Sequence, residues 1–304
     1  TTTAALLSLV IEPYTGTGLF FLYNLLLALA SVVVIPYYLF RRRHRSKPWA
    51  TLRRRWVPPD PSLKQTSGGA IWLHAVSVGE VLSCRQLAAE LRSRFPNAKL
   101  LVSTATETGY LTALQKLGRL VDGVFYAPLD FPFLARRTLE HLQPWLVIVA
   151  ETEIWPNLFR EVKRFGASLL MVNARISDRS APRYRRFRFF FRRVLSFPDA
   201  ILAQSPLDQQ RFLEAGAPAG KVEAGGNLKF DTGAVAAAPP VDLTAFLERR
   251  KPAAVVLAGS TREGEEIQVV EAFSQVVAKH PGSLLILAPR HAEAHYNLAV
   301  ALSA

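Results

Sequence analysis

Several short segments combine acids, cations and small residues in patterns suited to handling a hydroxyl and a phosphate. His74-Ala75-Val76-Ser77-Val78-Gly79-Glu80 closes an apolar run and opens a helical pattern. Gly79 lets a ligand approach the backbone closely, and the Glu80 carboxylate, beside unpaired helix amides, can take a proton from a bound hydroxyl. The same residues form a capping box, Ser77-x-x-Glu80, which needs no ligand at all. Glu151-Thr152-Glu153-Ile154-Trp155-Pro156-Asn157 closes a second apolar run. Two acids and an indole at such a place need partners. Glu151 reads equally as site or structure, whereas Glu153 suits the N-terminus of a following helix.

Asn173-Ala174-Arg175-Ile176-Ser177 offers a cation and donors to phosphate or sugar hydroxyls. Ser260-Thr261-Arg262-Glu263-Gly264-Glu265-Glu266 opens a helix whose free amides suit a phosphate, but its acids oppose an anion and Ser260-x-x-Glu263 is again a capping box. Pro289-Arg290-His291 ends the last apolar run, where Arg290 can pair with a phosphate. His291 and His295 stand four apart, as metal ligands do, without a third ligand near them. The sequence has no Asp-x-Asp, no G-x-x-x-x-G-K-[ST], no G-x-G-x-x-G and no zinc-finger spacing.

These segments need strand ends and helix starts to hold them. Apolar runs of strand length occur at 71–76, 101–105, 146–151, 168–174 and 200–205, and helical patterns such as Glu80–Arg94 and Pro206–Ala215 follow them. Buried strands alternating with helices predict a parallel sheet covered on both faces, a doubly wound, Rossmann-like α/β domain over 70–230. Ala-, Pro- and Gly-rich text over 231–252 reads as an interdomain linker. A second unit begins at 253, with strands at 253–260 and 283–290 around a helix at Glu265–His280; up to residue 304 it is short for a nucleotide-binding domain.

Ahead of the sheet, residues 1–45 read as a membrane anchor and 46–69 as a basic linker. Gly18 to Phe40 is uncharged and long enough for a hydrocarbon core of roughly 30 Å. Arg41, Arg42, Arg43, Arg45 and Lys47 follow at once, and no Lys or Arg precedes it. The positive-inside bias predicts a single crossing with the bulk of the chain in the cytoplasm. A cleaved signal peptide would want a basic start and a shorter apolar core. The formal net charge is +13, concentrated in residues 41–64 (nine Lys or Arg against Asp60) and 175–193 (eight Arg against Asp178), so the expected partner is anionic. In 183–193 a helical face of Phe187, Phe190, Phe191 and Val194 is expected to pack while the arginines face solvent or lipid phosphate. Cys84 is the only cysteine, which excludes an intrachain disulfide.

Taken together and in order, HAVSVGE, ETEIWPN, NARIS, GNLKFD and GSTREGEE behind an N-terminal anchor resemble the lipid A 3-deoxy-D-manno-octulosonic acid (Kdo) transferases. The resemblance runs from the anchor to His291. It implies a GT-B-type glycosyltransferase with two Rossmann-like domains, an acceptor domain (70–230) and the start of a donor domain (253–304). It further implies inverting transfer of Kdo from CMP-Kdo to a lipid A precursor at the cytoplasmic face of the inner membrane, with no metal cofactor required. Glu80 then matches the general base, and Glu151 and Lys229 match residues that stabilise the transition state. Pro289, Arg290 and Ser260 are expected at the CMP, and Ser77, Gly79, Asn157, Asn173 and Arg175 at the acceptor.

Three departures accompany the resemblance. Arg262 stands where the family usually has His, and PRHAEA stands where it has PRHPER. The sequence also stops before the Gly-rich segment with Asn-Pro-Leu-Glu that completes the CMP site, which leaves lipid binding expected and donor binding in question. A relative that binds acidic glycolipid without catalysis is therefore the competing class. A nucleic-acid module, motivated by charge alone, is disfavoured by the anchor beside the first basic cluster and by the lack of an aromatic nucleic-acid signature.

Overall fold

The computed structural model of the protein describes residues 2–42, 48–64, 69–231, 241–262 and 264–290. One sheet holds seven strands: β1 (Ala70–His74), β2 (Lys99–Thr104), β3 (Gly123–Tyr126), β4 (Pro144–Ala150), β5 (Ser168–Ala174), β6 (Ala200–Ala203) and β7 (Val222–Ala224). Their order is β3-β2-β1-β4-β5-β6-β7 and every pairing is parallel. Strand order runs outward in one direction from β1 and in the other from β4. The switch point lies between them, where the carboxyl ends of a doubly wound sheet leave a crevice for ligand.

The residues of β1 explain why the sheet forms. All of them are buried. Ala70 and Trp72 join one apolar layer with Val147, Phe159 and Met171, while Ile71 and Leu73 join the opposite layer with Leu100, Val102 and Ile148. A strand covered on both faces requires apolar side chains at consecutive positions, which these runs supply. The α/β class expected from the alternation is the one observed, and β1, β2, β4, β5 and β6 fall on the five runs. β3 and β7 were not expected: GVFY and VEA are too short to carry a period.

Other stretches depart from expectation for local reasons. The helix expected over Glu80–Arg94 is two, Val78–Ser83 and Arg85–Arg94. The Ser83 hydroxyl donates to the Glu80 carbonyl at 2.9 Å, drawing on the carbonyl that also accepts from Cys84 N–H, and the axis turns there. The stretch 46–69 is not only linker. It contains a helix at Pro48–Trp56, whose Trp56 packs on Phe131 and Phe133 with ring centroids 5.7 and 6.1 Å away, and a short 3-10 turn at Pro61–Leu63. Likewise the stretch 231–252 is not only linker: the Leu228–Asp231 turn leads into it and the Val241–Arg250 helix lies within it. Residues 183–193 form two helices, Ala181–Arg186 and Arg188–Val194, so the expected apolar face is interrupted: Val194 is buried and Phe190 and Phe191 pack on the core, but Phe187 is exposed.

The apolar N-terminal segment lies within one helix, Thr2–Arg42, whose Gly18–Tyr37 stretch has mean hydropathy 2.4. Most of that stretch is exposed, and its first turns touch the sheet domain. Phe20 is buried against Phe190 and Phe197, and Tyr23 and Asn24 hydrogen-bond to the domain.

The chain divides into two compact units, Thr1–Gly233 and Ala234–Ala304. In the second, β8 (Val255–Thr261) pairs in parallel with β9 (Leu284–Pro289), and the Glu265–Lys279 helix connects them.

Candidate active site

Glu80 sits on the first turn of the Val78–Ser83 helix, just past the carboxyl end of β1. Ser77, in extended backbone, is the N-cap: its Oγ accepts from Glu80 N–H at 3.4 Å and donates to Glu80 Oε1 at 2.7 Å. Glu80 Oε2 accepts from Val76 N–H at 2.6 Å. Ser77 therefore caps the helix, while the Glu80 carboxylate reaches past the N-cap amide to that of Val76 and to the Ser77 hydroxyl, contacts that orient it. Glu80 is only 6% exposed. Burial pushes its pKa up to about 7, against the two hydrogen bonds, and the charges of Glu153 and Glu151 push the same way. A carboxyl group that titrates near neutrality is suited to receiving a proton. Next to it Gly79 is exposed, and a methyl group added there would meet nothing closer than Ser77 Oγ at 4.0 Å.

Glu151 follows β4 in left-handed backbone, φ 57°, and its N–H continues the sheet to Val172 O at 2.9 Å. Such a conformation is unusual for a residue with a side chain and concentrates where geometry serves function. Lys229 Nζ lies 3.9 Å from Glu151 Oε1. That lysine comes from the Leu228–Asp231 turn, which Asn173 ties to the sheet: Asn173 Oδ1 accepts from Leu228 N–H at 3.1 Å. Asn173 itself is buried at the end of β5 with φ 54°, and the β5–β6 register shifts there. Asn tolerates this conformation better than most residues. The acid–lysine pair thus depends on a strut two strands away from β1.

Glu153 accepts from Trp155 Nε1 at 2.7 Å, and burial pushes its pKa up against that bond. The Trp155 ring stands edge-on to His74 at 4.7 Å, with the Arg55 guanidinium 5.7 Å from the indole. His74 is wholly buried, its Nδ1 2.8 Å from Ser103 Oγ. Burial, with the nearby Arg55 charge, drives its pKa down to about 3, so it is a neutral ring at physiological pH. Its Nε2 finds no hydrogen-bond partner among the described residues.

The expected acceptor residues separate. Ser77 and Gly79 stand beside Glu80, and Arg175 is exposed, its carbonyl accepting from Thr152 Oγ1. Asn157 is fully buried instead, donating to Asn24 Oδ1 at 2.7 Å and to Asp130 O at 2.5 Å, and so ties the N-terminal helix to the domain. Asn173 is the strut already described. Within the second unit, Ser260 (φ 63°) and Arg290 lie at the carboxyl ends of β8 and β9, where Arg290 N–H donates to Thr261 O at 3.0 Å and Thr261 pairs with Pro289. The helix there starts at Glu265 behind Gly264, not behind Ser260. Glu263, His291 and His295 lie outside the described residues.

Sequence reading overlooked two residues. Asp130 is half-buried and accepts from Leu158 N–H at 2.8 Å, Asn157 N–H at 3.2 Å and Tyr23 Oη at 2.8 Å. It caps the Pro156–Phe165 helix from a distant loop, and burial pushes its pKa up to about 6 despite these donors. Arg55, hidden in a run of arginines, donates through Nε to Ala127 O at 2.9 Å. Only the acid ahead of Pro132 hinted at the first; nothing in the local sequence distinguished Arg55 from its neighbours.

A sequence model of the family described as 3-deoxy-D-manno-octulosonic-acid transferase (kdotransferase) matches residues 50–232. The chain is 34% identical over 225 residues to the 3-deoxy-D-manno-octulosonic acid transferase of Haemophilus influenzae, covering 73% of this chain and 52% of that protein. The enzyme of the same name from Chlamydia trachomatis serovar A is 29% identical over 275 residues, 90% of this chain and 63% of the other. A bifunctional glycosyltransferase/methyltransferase of Fusobacterium nucleatum is 32% identical over 223 residues, 73% of this chain and 34% of that one. The chain spans about half the length of the Haemophilus relative. Among solved structures, a UDP-GlcNAc 2-epimerase from Neisseria meningitidis aligns with TM-score 0.52 at 12% identity over 76% of this chain and 68% of its own, a likeness of fold. With its matched region enclosing the whole seven-stranded sheet and both Glu80 and Lys229, the chain belongs to the 3-deoxy-D-manno-octulosonic-acid transferase family.

Proposed function

We propose that the protein serves transfer of Kdo from CMP-Kdo to a hydroxyl of the lipid A precursor in lipopolysaccharide biosynthesis, with inversion and with Glu80 as general base. The observation that carries this reading is a buried carboxyl group, titrating near pH 7, at the switch point of a parallel sheet beside an exposed glycine. In the reaction, Glu80 takes the acceptor's hydroxyl proton as that oxygen bonds to the anomeric carbon. The bond from that carbon to the CMP phosphate oxygen breaks, and CMP leaves with the electron pair. Positive charge growing on the sugar is met by the Glu151 carboxylate, and Lys229 serves the sugar carboxylate or the departing phosphate. Ser77 and Gly79 shape the acceptor's approach and Arg175 meets its anionic groups, while Asn157 and Asn173 act from behind as supports. In the second unit, Ser260, Pro289 and Arg290 take the CMP phosphate. No metal cofactor is assigned a part.

The protein is proposed to work at the cytoplasmic face of the inner membrane, where its basic stretches meet anionic lipid and the bisphosphorylated acceptor. The test is transfer from CMP-Kdo by this chain joined to the C-terminal half of its Haemophilus influenzae relative, with and without Glu80→Ala. Product from the parent and none from a folded Glu80→Ala protein is the expected result. Full turnover in the variant removes Glu80 from the mechanism; binding of lipid A precursor without any transfer by the parent favours a non-catalytic glycolipid binder.

A further inference from the structure

The Pro156–Phe165 helix does not use Glu153, the acid just ahead of it. Its N-cap, Trp155, makes no side-chain cap, and Asp130 takes the amides of Asn157 and Leu158 at 3.2 and 2.8 Å. The Glu153 carboxylate turns instead to the indole, whose Nε1 donates to Oε2 at 2.7 Å. Its other oxygen, Oε1, has no hydrogen-bond partner among the described residues. A column of side chains fixes this carboxylate from the core outward. Trp72 Nε1 donates to Ser103 Oγ at 2.7 Å, and that oxygen lies 2.8 Å from His74 Nδ1. The His74 ring meets Trp155 edge-on at 4.7 Å, with the Arg55 guanidinium 5.7 Å from the same indole. Trp72, Ser103 and His74 are fully buried and His74 is neutral, so the indole rests on a packed, uncharged base. Support of this kind behind a half-buried polar group is what precise binding requires.

His74 ends β1, and two residues later the Val76 N–H holds the Glu80 carboxylate at 2.6 Å. Glu153, through Trp155, and Glu80 are thus anchored to the same short stretch, and the charge of Glu153 is felt at Glu80. What meets Glu153 therefore belongs to the molecule that gives its proton to Glu80. Charge decides the kind of group. Glu80, Glu151 and Glu153 are offset by Lys229, 3.9 Å from Glu151, by Arg55 beside Trp155 and, near pH 7, by the proton that Glu80 partly keeps. So near a balance, there is no excess to hold an ammonium group, and a carboxylate oxygen repels phosphate. An oxygen that can only accept suits a neutral O–H. We propose that Glu153 binds the acceptor sugar, accepting a hydrogen bond from a hydroxyl other than the one that reacts, with Trp155 as the positioning residue that holds it.

The inference rests on the reading of this site as one that takes the acceptor, so its test is binding and not turnover. Dissociation constants of deacylated lipid A precursor, and of monodeoxy analogues each lacking one non-reacting hydroxyl, are measured by titration calorimetry for the parent, Glu153→Gln and Trp155→Phe. In the parent, one analogue is expected to bind about tenfold to a hundredfold more weakly, the range for a hydrogen bond to a charged group. Glu153→Gln is expected to lose as much with the complete sugar and nothing further with that analogue, a non-additivity that general damage to the fold does not produce. Trp155→Phe keeps a ring against His74 but gives up the donor, and is expected to fall between. Parent-like binding by Glu153→Gln, or losses that add for every analogue, overturns the proposal. A parent that does not bind the sugar overturns the acceptor reading with it. The expected binding pattern alongside full transfer by Glu80→Ala in the joined protein would remove the base and keep the Glu153 subsite.

Discussion

Glu80 accepts two hydrogen bonds that favour its charged form, yet burial outweighs them. Its folded-state pKa, about 7, stands above the ordinary value of 4.5, so the native protein favours the protonated form. The stability this contributes is complete below about pH 4.5 and is lost as pH rises through about 7. Glu80→Gln stays neutral. Between pH 5 and pH 8.5 its melting temperature is expected to fall less than that of the parent; equal falls would show that the carboxyl group is not held as described. At Gly79, where an added methyl has room, Gly79→Ala is expected to hold or raise stability by about 0.5–1 kcal/mol, as Ala in a helix does. A drop in transfer in that variant then reports on ligand approach and not on folding. Lys229→Met removes a partly exposed pair separated by 3.9 Å. Denaturant unfolding is expected to change by no more than about 1 kcal/mol, while transfer falls on the order of a hundredfold or more. Unaltered turnover would take the lysine out of the chemistry.

Among the elements, the Pro156–Phe165 helix shows best how distant sequence is joined. Its first amides are satisfied by Asp130, which also receives Tyr23 from the anchor helix. Asp130→Ala leaves these donors without that acceptor, and chemical denaturation is expected to register about 1–3 kcal/mol for each buried group left unsatisfied; parent stability would mean that water replaces the carboxylate freely. This junction was not legible in the sequence, because its partners are about a hundred residues apart in the case of Tyr23 and Asp130. The same distance problem hid the Asn173–Leu228 bond that positions Lys229. What could be read locally was read: β1 and β4 from unbroken apolar runs, and Ser77–Glu80 from a spacing that only a helix start gives meaning. The break at Cys84 escaped because the Ser83 hydroxyl's claim on the Glu80 carbonyl leaves the apolar period nearly intact, and the spacing of Phe187, Phe190, Phe191 and Val194 runs on unbroken through the break at Phe187. In the Val241–Arg250 helix, Leu243, Phe246 and Leu247 carry a helical spacing that the surrounding Ala- and Pro-rich text disguised.

At the scale of the molecule, the expected crossing and the observed docking start from the same residues. Length and flanking charge are read along the chain, whereas the grip of Asp130 and Asn157 on the helix is a property of the folded unit. Charge then decides how the domain meets lipid. Arg183, Arg186 and Arg188 are exposed. Replacing all three by Ser is expected to weaken sedimentation with vesicles containing lipid A precursor by about 1 kcal/mol per residue, an effect that shrinks as salt is raised. Equal binding at low salt would move the lipid-facing surface elsewhere. The proposed chemistry turns on one proton. Its most direct test is the pH dependence of Kdo transfer by the joined protein, compared with Glu80→Gln. The parent rate is expected to fall about tenfold per unit below pH 7, as a base that must be ionised requires, and the small residual rate of Glu80→Gln is expected to lack that limb. A variant that keeps both the parent's rate and its acidic limb would contradict it.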